Sequence, residues 1–201
     1  MTYQVSIDEL ANFISLLLSD FYMVFRLILE RLVVYPLNLI PSLVGVILRR
    51  GFYKFLFKKM GKKVVIKEFN VIKHLGNIEI GNYSEINQFC FINAMGGLKI
   101  GDYCQIAPMV SLVTFNYKKD NLPMPYIKQG EEKKSIELGN NVWLGNKVTV
   151  VAGVKIGDNS IIGANSVVTK DVPANSIAVG SPATVVKQFK NNKWVDIKYN
   201  K

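Results

Sequence analysis

A six-residue repeat constrains this chain more than any other feature. Between residues 138 and 168, every sixth position is aliphatic, and a second aliphatic set stands two positions earlier. The main set is Leu138, Leu144, Val150, Ile156, Ile162 and Val168, and the second is Ile136, Val142, Val148 and Val154. A period of six fits neither an α-helix nor an alternating strand, and a fixed period indicates units that stack on one another. We therefore predict an all-β solenoid, a left-handed parallel β-helix whose triangular coils each contain three hexapeptides.

Glycine follows four of the six main aliphatic residues, at positions 139, 145, 157 and 163. Glycine and asparagine adopt a left-handed backbone at low cost. We therefore expect these glycines to turn the corners of the prism by taking a positive φ.

The repeats start near Val64, and the predicted repeat domain spans 64–187 with one long interruption. We predict about three coils over 64–114 and two over 135–172, which gives about five. Residues 115–134 break the period with prolines and charges, so we expect an excursion loop of functional importance there. Pro173 ends the strand pattern, and residues 188–201 are expected to form a C-terminal tail, either a short helix or an unstructured extension.

Residues 1–63 lack the repeat and form a predicted apolar and basic helical extension. A helix is expected over 7–31, and an uncharged run over 32–48 reaches the lower limit for a membrane span but contains prolines. The basic and aromatic run over 49–59 favours an interfacial helix with snorkelling cations. Three alternatives remain for the extension: peripheral membrane association, a soluble cap on the solenoid, or a membrane span.

The charge distribution and the cysteine content limit which partners and which cellular compartment we expect for this protein. Of the net charge of +10, most comes from residues 49–73, which hold nine basic residues and one acidic residue. This cluster favours anionic lipid, and no motif accompanies it that would indicate nucleic acid. Cys90 and Cys104 have neither metal-site nor disulfide spacing, so we expect buried, reduced thiols in a cytoplasmic protein. If the extension associates with lipid, the protein lies peripherally on the inner face of the cell membrane. His74 is the only histidine, and we predict no metal.

Two segments closely resemble the hexapeptide-repeat acyltransferases: IGDYCQIAPMVSL at 100–112 and the stretch 136–187, which begins IELGNNVWLGN. Together with the N-terminal extension, they are similar to enzymes that acetylate sugars of bacterial capsules and O-antigens. The resemblance implies a homotrimer of parallel prisms, with acetyl-CoA bound in the groove between neighbours. It also implies a sugar hydroxyl or amine as the acceptor, and an excursion loop that helps to close the groove.

The resemblance also implies the residues that contact CoA. These are Asn146, Ala164, Thr169, Lys170 and Lys187. The family often has serine at the first of these positions and arginine at Lys187, and lysine lacks the bidentate fork of arginine. Lys170 is the best candidate for a phosphate contact, whereas the coil geometry alone would explain Ala164.

The catalytic position departs from the family. The resemblance implies a general-base histidine nine residues after Pro108, where this chain has Tyr117. A phenol is ionised much less than an imidazole at neutral pH, so it is poorly matched to that task. Asn87 aligns with a region that binds the acceptor or the oxyanion, and its alternative is a left-handed corner.

Two functional hypotheses follow. The first is an active acetyl-CoA-dependent transferase with an altered base, in which Tyr117 acts as the base or orients the acceptor and proximity supplies much of the rate. The second is a weak or inactive family member that serves as a binding or assembly subunit.

Overall fold

The computed structural model describes residues 35–197, together with Phe21 and Leu32. Almost all of the helix predicted over 7–31 lies outside the described residues. Within 35–197, the helices are α1 (Tyr35–Leu39), α2 (Ser42–Leu56) and α3 (Tyr126–Gln129), with one 3₁₀ turn at Leu75–Asn77. All other regular elements of this region are β-strands.

Most strands lie on the three faces of a triangular prism, and the chain visits the faces in the order A, B, C. Face A contains β1 (Lys59–Met60), β4 (Ile78–Ile80), β7 (Leu98–Ile100), β12 (Ile136–Leu138) and β15 (Lys155–Ile156). Face B contains β2 (Val65–Ile66), β5 (Glu85–Ile86), β8 (Gln105–Ile106), β13 (Trp143–Leu144), β16 (Ile161–Ile162) and β18 (Ser176–Gly180). Face C contains β3 (Val71–Lys73), β6 (Phe91–Asn93), β9 (Ser111–Val113), β14 (Thr149–Val150) and β17 (Val167–Val168). Neighbouring strands on each face are parallel, as expected for a left-handed β-helix.

The repeat residues fill the prism as predicted. All six main aliphatic residues and the four residues of the second set are buried in one continuous core. Face B carries six parallel strands, so the solenoid has about six turns rather than the predicted five. The additional turn uses Val172, which bridges to Ile156, and β18. It was missed because Pro173 interrupts the sequence pattern at a corner without ending the coil.

The first coils are longer than the last ones. Ile66, Ile86 and Ile106 lie opposite one another at intervals of twenty residues, whereas Leu144 and Ile162 are eighteen residues apart. The extra length lies between faces C and A, where the first coil forms its 3₁₀ turn. The first strand, β1, precedes the predicted start at 64, because its two residues are too few to display the repeat.

The corner glycines have a different role from the predicted one. Positive φ occurs two residues later, at Tyr83, Asn141 and Lys147, with φ between 55° and 58°. Gly145 is instead needed because the coils are close together: a Cβ there would lie 2.7 Å from the backbone nitrogen of Ala164 in the next coil. The short distance between coils therefore requires glycine at this position, whereas non-glycine residues adopt the left-handed backbone conformation at the corners.

Helix α2 packs on the first coil as a cap and is anchored by a buried arginine. The Arg49 side chain is 1% exposed and donates to the carbonyl oxygens of Ile66 (2.8 Å), Leu37 (2.8 Å) and Ile40 (2.7 Å). Its guanidinium also lies 3.4 Å from the Glu68 carboxylate. The expected interfacial helix over 49–59 is therefore wrong at this residue, because Arg49 turns inward to satisfy backbone carbonyls instead of snorkelling.

The uncharged run over 32–48 is divided between α1 and α2, since the chain breaks at Ile40 and Pro41. In the described part of the chain, no helix has both the length and the apolarity needed to cross a bilayer. The outer side of α2 nevertheless presents large exposed apolar side chains. They are Leu43, Val44, Ile47, Leu48 and Phe55.

The described part of the predicted C-terminal tail, residues 188–197, folds as strands rather than as a helix. Strand β19 (Ala183–Lys190) pairs antiparallel with β18, and β20 (Lys193–Asp196) pairs antiparallel with β19. Asn191 and Asn192, which join β19 to β20, have φ values of 52° and 59°. Two consecutive left-handed residues are typical of a tight hairpin turn, which the paired asparagines favour.

Candidate active site

One column of candidate residues runs along the edge between faces B and C, here called the B–C edge. It comprises residues 67–70, 87–90, 107–110, 145–148 and 163–166, which follow the strands of face B. The register of these strands places Asn146 between Pro108 and Ala164 on successive coils. Asn87 belongs to the same edge, two coils before Asn146. The structure therefore brings three of the predicted site residues to one side of the prism.

Both asparagines of this column are held by hydrogen bonds to the intervening coil. The Asn87 side-chain nitrogen donates to the Ile106 carbonyl at 3.0 Å, and that of Asn146 donates to the Pro108 carbonyl at 2.9 Å. Asn87 does not have a positive φ, so its alternative as a left-handed corner is wrong; Phe89 occupies that conformation. With their nitrogens engaged, the two side-chain oxygens remain as fixed acceptors for a hydroxyl or an amide N–H.

Thr169 and Lys170 lie at a different edge, where the chain leaves face C for face A, here called the C–A edge. Both residues are exposed, and they follow directly after β17. Lys170 forms no ion pair with any residue in the described range 35–197. An exposed lysine in this position is available to a phosphate, but face C separates it from the Asn87 side of the molecule in the same chain.

Tyr117 also belongs to the C–A edge. The excursion loop begins with a hairpin in which β10 (Phe115–Tyr117) pairs with β11 (Glu131–Lys133), and Tyr117 lies opposite Glu131. The Tyr117 side chain is 48% exposed and lines a depression of about 420 Å³ with Asp120 and Glu132. A hydrogen bond from Lys134 lowers the pKa of Glu132, so this carboxylate is a weaker base than usual.

Lys187 is not part of either edge. It lies in β19, opposite Ile177, and its ammonium is 3.3 Å from the Asp196 carboxylate. An exposed ion pair of this kind contributes only about 0–1 kcal/mol, so a phosphate would compete readily for the lysine. The structure thus distributes the predicted CoA contacts over three places in one chain.

The two cysteines are excluded as nucleophiles. Both are buried in the core, and burial raises the pKa of Cys90 to about 11 and also raises that of Cys104. The thiolate is the reactive form, so neither side chain is activated at neutral pH. Within residues 35–197, no cluster of histidine, cysteine and carboxylate side chains is suited to a metal ion.

Sequence reasoning missed two features near the site. Trp143 is 53% exposed on face B, three residues before Asn146, and it faces a cleft formed with Phe189 and Trp194 of the C-terminal hairpin. The tip of the excursion loop exposes Leu122 and Ile127 to a large degree. The available signal was the presence of large apolar residues at outward or loop positions, where a solenoid needs none.

Comparison with known proteins assigns the chain to a family. Residues 135–170 match the family described as bacterial transferase hexapeptide (six repeats). The galactoside O-acetyltransferase of Escherichia coli is 35% identical over 142 residues, which cover 70% of this chain and 68% of that protein.

Solved structures agree with the sequence comparison. A galactoside acetyltransferase in complex with coenzyme A superposes with a TM-score of 0.71 at 34% identity, covering 78% of this chain and 77% of that one. A hexapeptide-repeat acetyltransferase of Vibrio cholerae complexed with acetyl-CoA gives a TM-score of 0.68 at 27% identity, covering 83% and 85%. The chain therefore belongs to the hexapeptide-repeat acetyltransferase family.

Proposed function

We propose that this protein transfers an acetyl group from acetyl-CoA to a sugar hydroxyl, as part of surface-polysaccharide synthesis, and that it does so as a homotrimer. We infer the trimer because the candidate site is divided between two edges of one prism. Asn87 and Asn146 lie on the B–C edge, whereas Tyr117 and Lys170 lie on the C–A edge. In a ring of three parallel prisms, the B–C edge of one subunit faces the C–A edge of the next, which reunites the two halves in each groove.

The excursion loop supports this assembly. Leu122 and Ile127 are 80% and 75% exposed at its tip, and hydrophobic residues exposed in such a group indicate a protein contact. The loop leaves the prism at the C–A edge, so it lies beside the groove where a neighbour would pack. The related enzymes that bind CoA and act on galactosides supply the proposed co-substrate and acceptor class.

In the proposed reaction, the acceptor oxygen bonds to the acetyl carbonyl carbon and the carbon–sulfur bond of the thioester breaks. The acceptor proton passes to solvent, and the CoA thiolate is reprotonated. The oxygens of Asn87 and Asn146 hold N–H and O–H groups of the substrates in place, while Lys170 of the neighbour pairs with a CoA phosphate. Tyr117 directs the acceptor hydroxyl through its own phenol oxygen, and orientation supplies the larger part of the rate.

The second candidate function is a binding or assembly subunit without efficient catalysis, and Tyr117 at the base position favours it. Incubation with acetyl-CoA and a panel of galactosides, glucosides and N-acetylhexosamines separates the two. We expect release of free thiol that depends on the acceptor. Binding of CoA without thiol release for any acceptor would support the second function, and absence of both thiol release and CoA binding would exclude the transferase.

We also propose that the protein is cytoplasmic and lies against the inner face of the cell membrane through α2. Its exposed apolar side includes Ile47 and Phe55, and Phe55 is 87% exposed. Arg50 and Lys54 are exposed on the same helix, which adds positive charge beside the apolar side chains. This combination is typical of a helix that inserts its apolar side into an anionic interface.

Sedimentation with vesicles tests the membrane proposal. The full chain should bind vesicles that contain phosphatidylglycerol more strongly than neutral phosphatidylcholine vesicles, and added salt should weaken this preference. The double substitution Ile47→Ser and Phe55→Ser should abolish binding, while Tyr103→Ser, which removes an exposed aromatic side chain from the prism, should not. Equal binding by the double variant and the parent would contradict the proposal.

A further inference from the structure

A cleft of about 360 Å³ lies between face B and the C-terminal hairpin, outside the two edges that carry the candidate active site. Its apolar surface comes from four residues. They are Trp143 and Ile161 on the last full coils and Phe189 and Trp194 on the hairpin. The Phe189 and Trp194 rings lie opposite each other in β19 and β20, with centroids 5.3 Å apart in an edge-to-face arrangement. The hairpin thus places a second tryptophan across from the first.

The polar part of the cleft is a row of three asparagines on successive coils. The Asn141 side-chain nitrogen donates to Asn159 at 3.0 Å, and the Asn159 nitrogen donates to Asn175 at 3.0 Å. Among the described residues, this pattern leaves the Asn141 oxygen and the Asn175 side-chain nitrogen without a protein partner. One end of the row therefore presents an acceptor and the other end presents a donor.

The cleft contains no charged residue in its described lining. A nucleotide would bring phosphate groups and would be expected beside lysine or arginine, as Lys170 is on the C–A edge. A neutral ligand that has both hydroxyl groups and apolar C–H surfaces fits this lining better. Aromatic faces attract the positive edge of such C–H groups, and carboxamides pair with hydroxyls in either direction.

We propose that this cleft binds a neutral oligosaccharide, the extended part of the acceptor that the active site modifies, so the inference rests on the proposed function. The position of Trp143 supports this relation, because the residue lies on face B three positions before Asn146 on the B–C edge. Three residues of chain span at most about 10 Å, so the backbone positions of the two residues lie within that distance. A glycan chain held in the cleft therefore reaches toward the groove, which a single sugar unit would not do.

Tryptophan fluorescence provides a direct test, because Trp143 and Trp194 are the only tryptophans in the chain. Neutral oligosaccharides of glucose, galactose or N-acetylglucosamine, added without acetyl-CoA, should give a saturable change in the emission of the full chain. Trp194→Ala should weaken this binding about tenfold, which corresponds to the loss of one aromatic contact. Tyr35→Ala, which removes an exposed aromatic residue from α1 at the opposite end of the solenoid, should leave the affinity unchanged.

Kinetics then distinguishes this site from the active site. For an oligosaccharide acceptor, Trp194→Ala should raise KM about tenfold without changing kcat or the KM for acetyl-CoA. Saturable emission changes with CoA alone that Trp194→Ala abolishes would overturn the proposal in favour of a nucleotide pocket. Absence of any response to the oligosaccharides would also overturn it. Oligosaccharide binding without acetyl transfer would retain the inference and refute the proposed function instead.

Discussion

The side-chain nitrogen of Asn146 donates to the carbonyl oxygen of Pro108 across 2.9 Å, which ties two coils together at the B–C edge. The excursion loop separates these coils in sequence, so this bond joins the two halves of the solenoid at the candidate site. It also fixes the direction in which the Asn146 oxygen points.

We expect Asn146→Ala to raise the KM for acetyl-CoA several-fold while lowering the free energy of unfolding by about 1 kcal/mol, the usual contribution of one such hydrogen bond. Steady-state kinetics and urea denaturation measure the two effects. Asn77→Ala is the matched control, because the Asn77 side chain donates to the Ala94 carbonyl at 3.2 Å on the C–A edge of the first coils. An equal rise in KM for both variants would show that Asn146 acts only through stability.

Two substitutions test the role of Tyr117 in acetyl transfer. Tyr117→Phe removes only the phenol oxygen of a half-exposed side chain. If this oxygen directs the acceptor, the variant should lower kcat for acetyl transfer about tenfold. Tyr117→His introduces a base whose ionisation matches neutral pH and should raise kcat. The free energy of unfolding should change little in either case. Unchanged kcat in the phenylalanine variant would exclude participation of the hydroxyl.

Among the positions of the N-terminal cap, substitution of Arg49 is expected to lower the free energy of unfolding the most. Arg49→Ala removes a donor from three backbone carbonyls and leaves Glu68 without its buried partner, which should cost about 3 kcal/mol or more. Arg50→Ala, at the exposed neighbouring position, should cost less than about 0.5 kcal/mol. Urea unfolding at one fixed protein concentration compares the two, since assembly affects apparent stability. Similar losses would contradict the anchoring role of Arg49.

The Cys90 thiol should make stability fall at alkaline pH. Its pKa is raised from 9.0 to about 11 by burial, so the folded state retains the proton in a range where the unfolded chain loses it. The unfolded state then binds fewer protons, and the free energy of unfolding decreases as pH rises from about 9 to 11. Cys90→Ala should flatten this part of the stability profile measured by urea denaturation. An unchanged slope would assign the effect to other groups.

The sequence predicts the prism well because each buried residue has a strict position in a period of six. Leu144 and Ile162 reveal their inward orientation without knowledge of their neighbours. The C-terminal hairpin has no such repeat, and its one local signal is Asn191–Asn192, a pair that favours a two-residue turn. Residues 188–201 were therefore expected as a helix or an unstructured tail, although β20 forms within them.

The candidate site is less predictable for a physical reason. Resemblance identifies Asn87 and Tyr117 but says nothing about which edge of the prism each one occupies. That information depends on how many residues each coil uses between faces, and the first coils use two more than the last. The glycine prediction failed in a similar way, because Gly145 responds to the distance between coils rather than to its own φ.

The extra residues of the long coils and the excursion loop all leave the prism at the C–A edge, whereas the other two edges keep a nearly constant length. The C–A edge is therefore the place where the chain can gain or lose residues without shifting any core side chain. Changes in the loop would alter the groove and its acceptor while Ile106 and Leu144 remain stacked as before. The range of acceptors of such a protein can therefore change while its solenoid core remains the same.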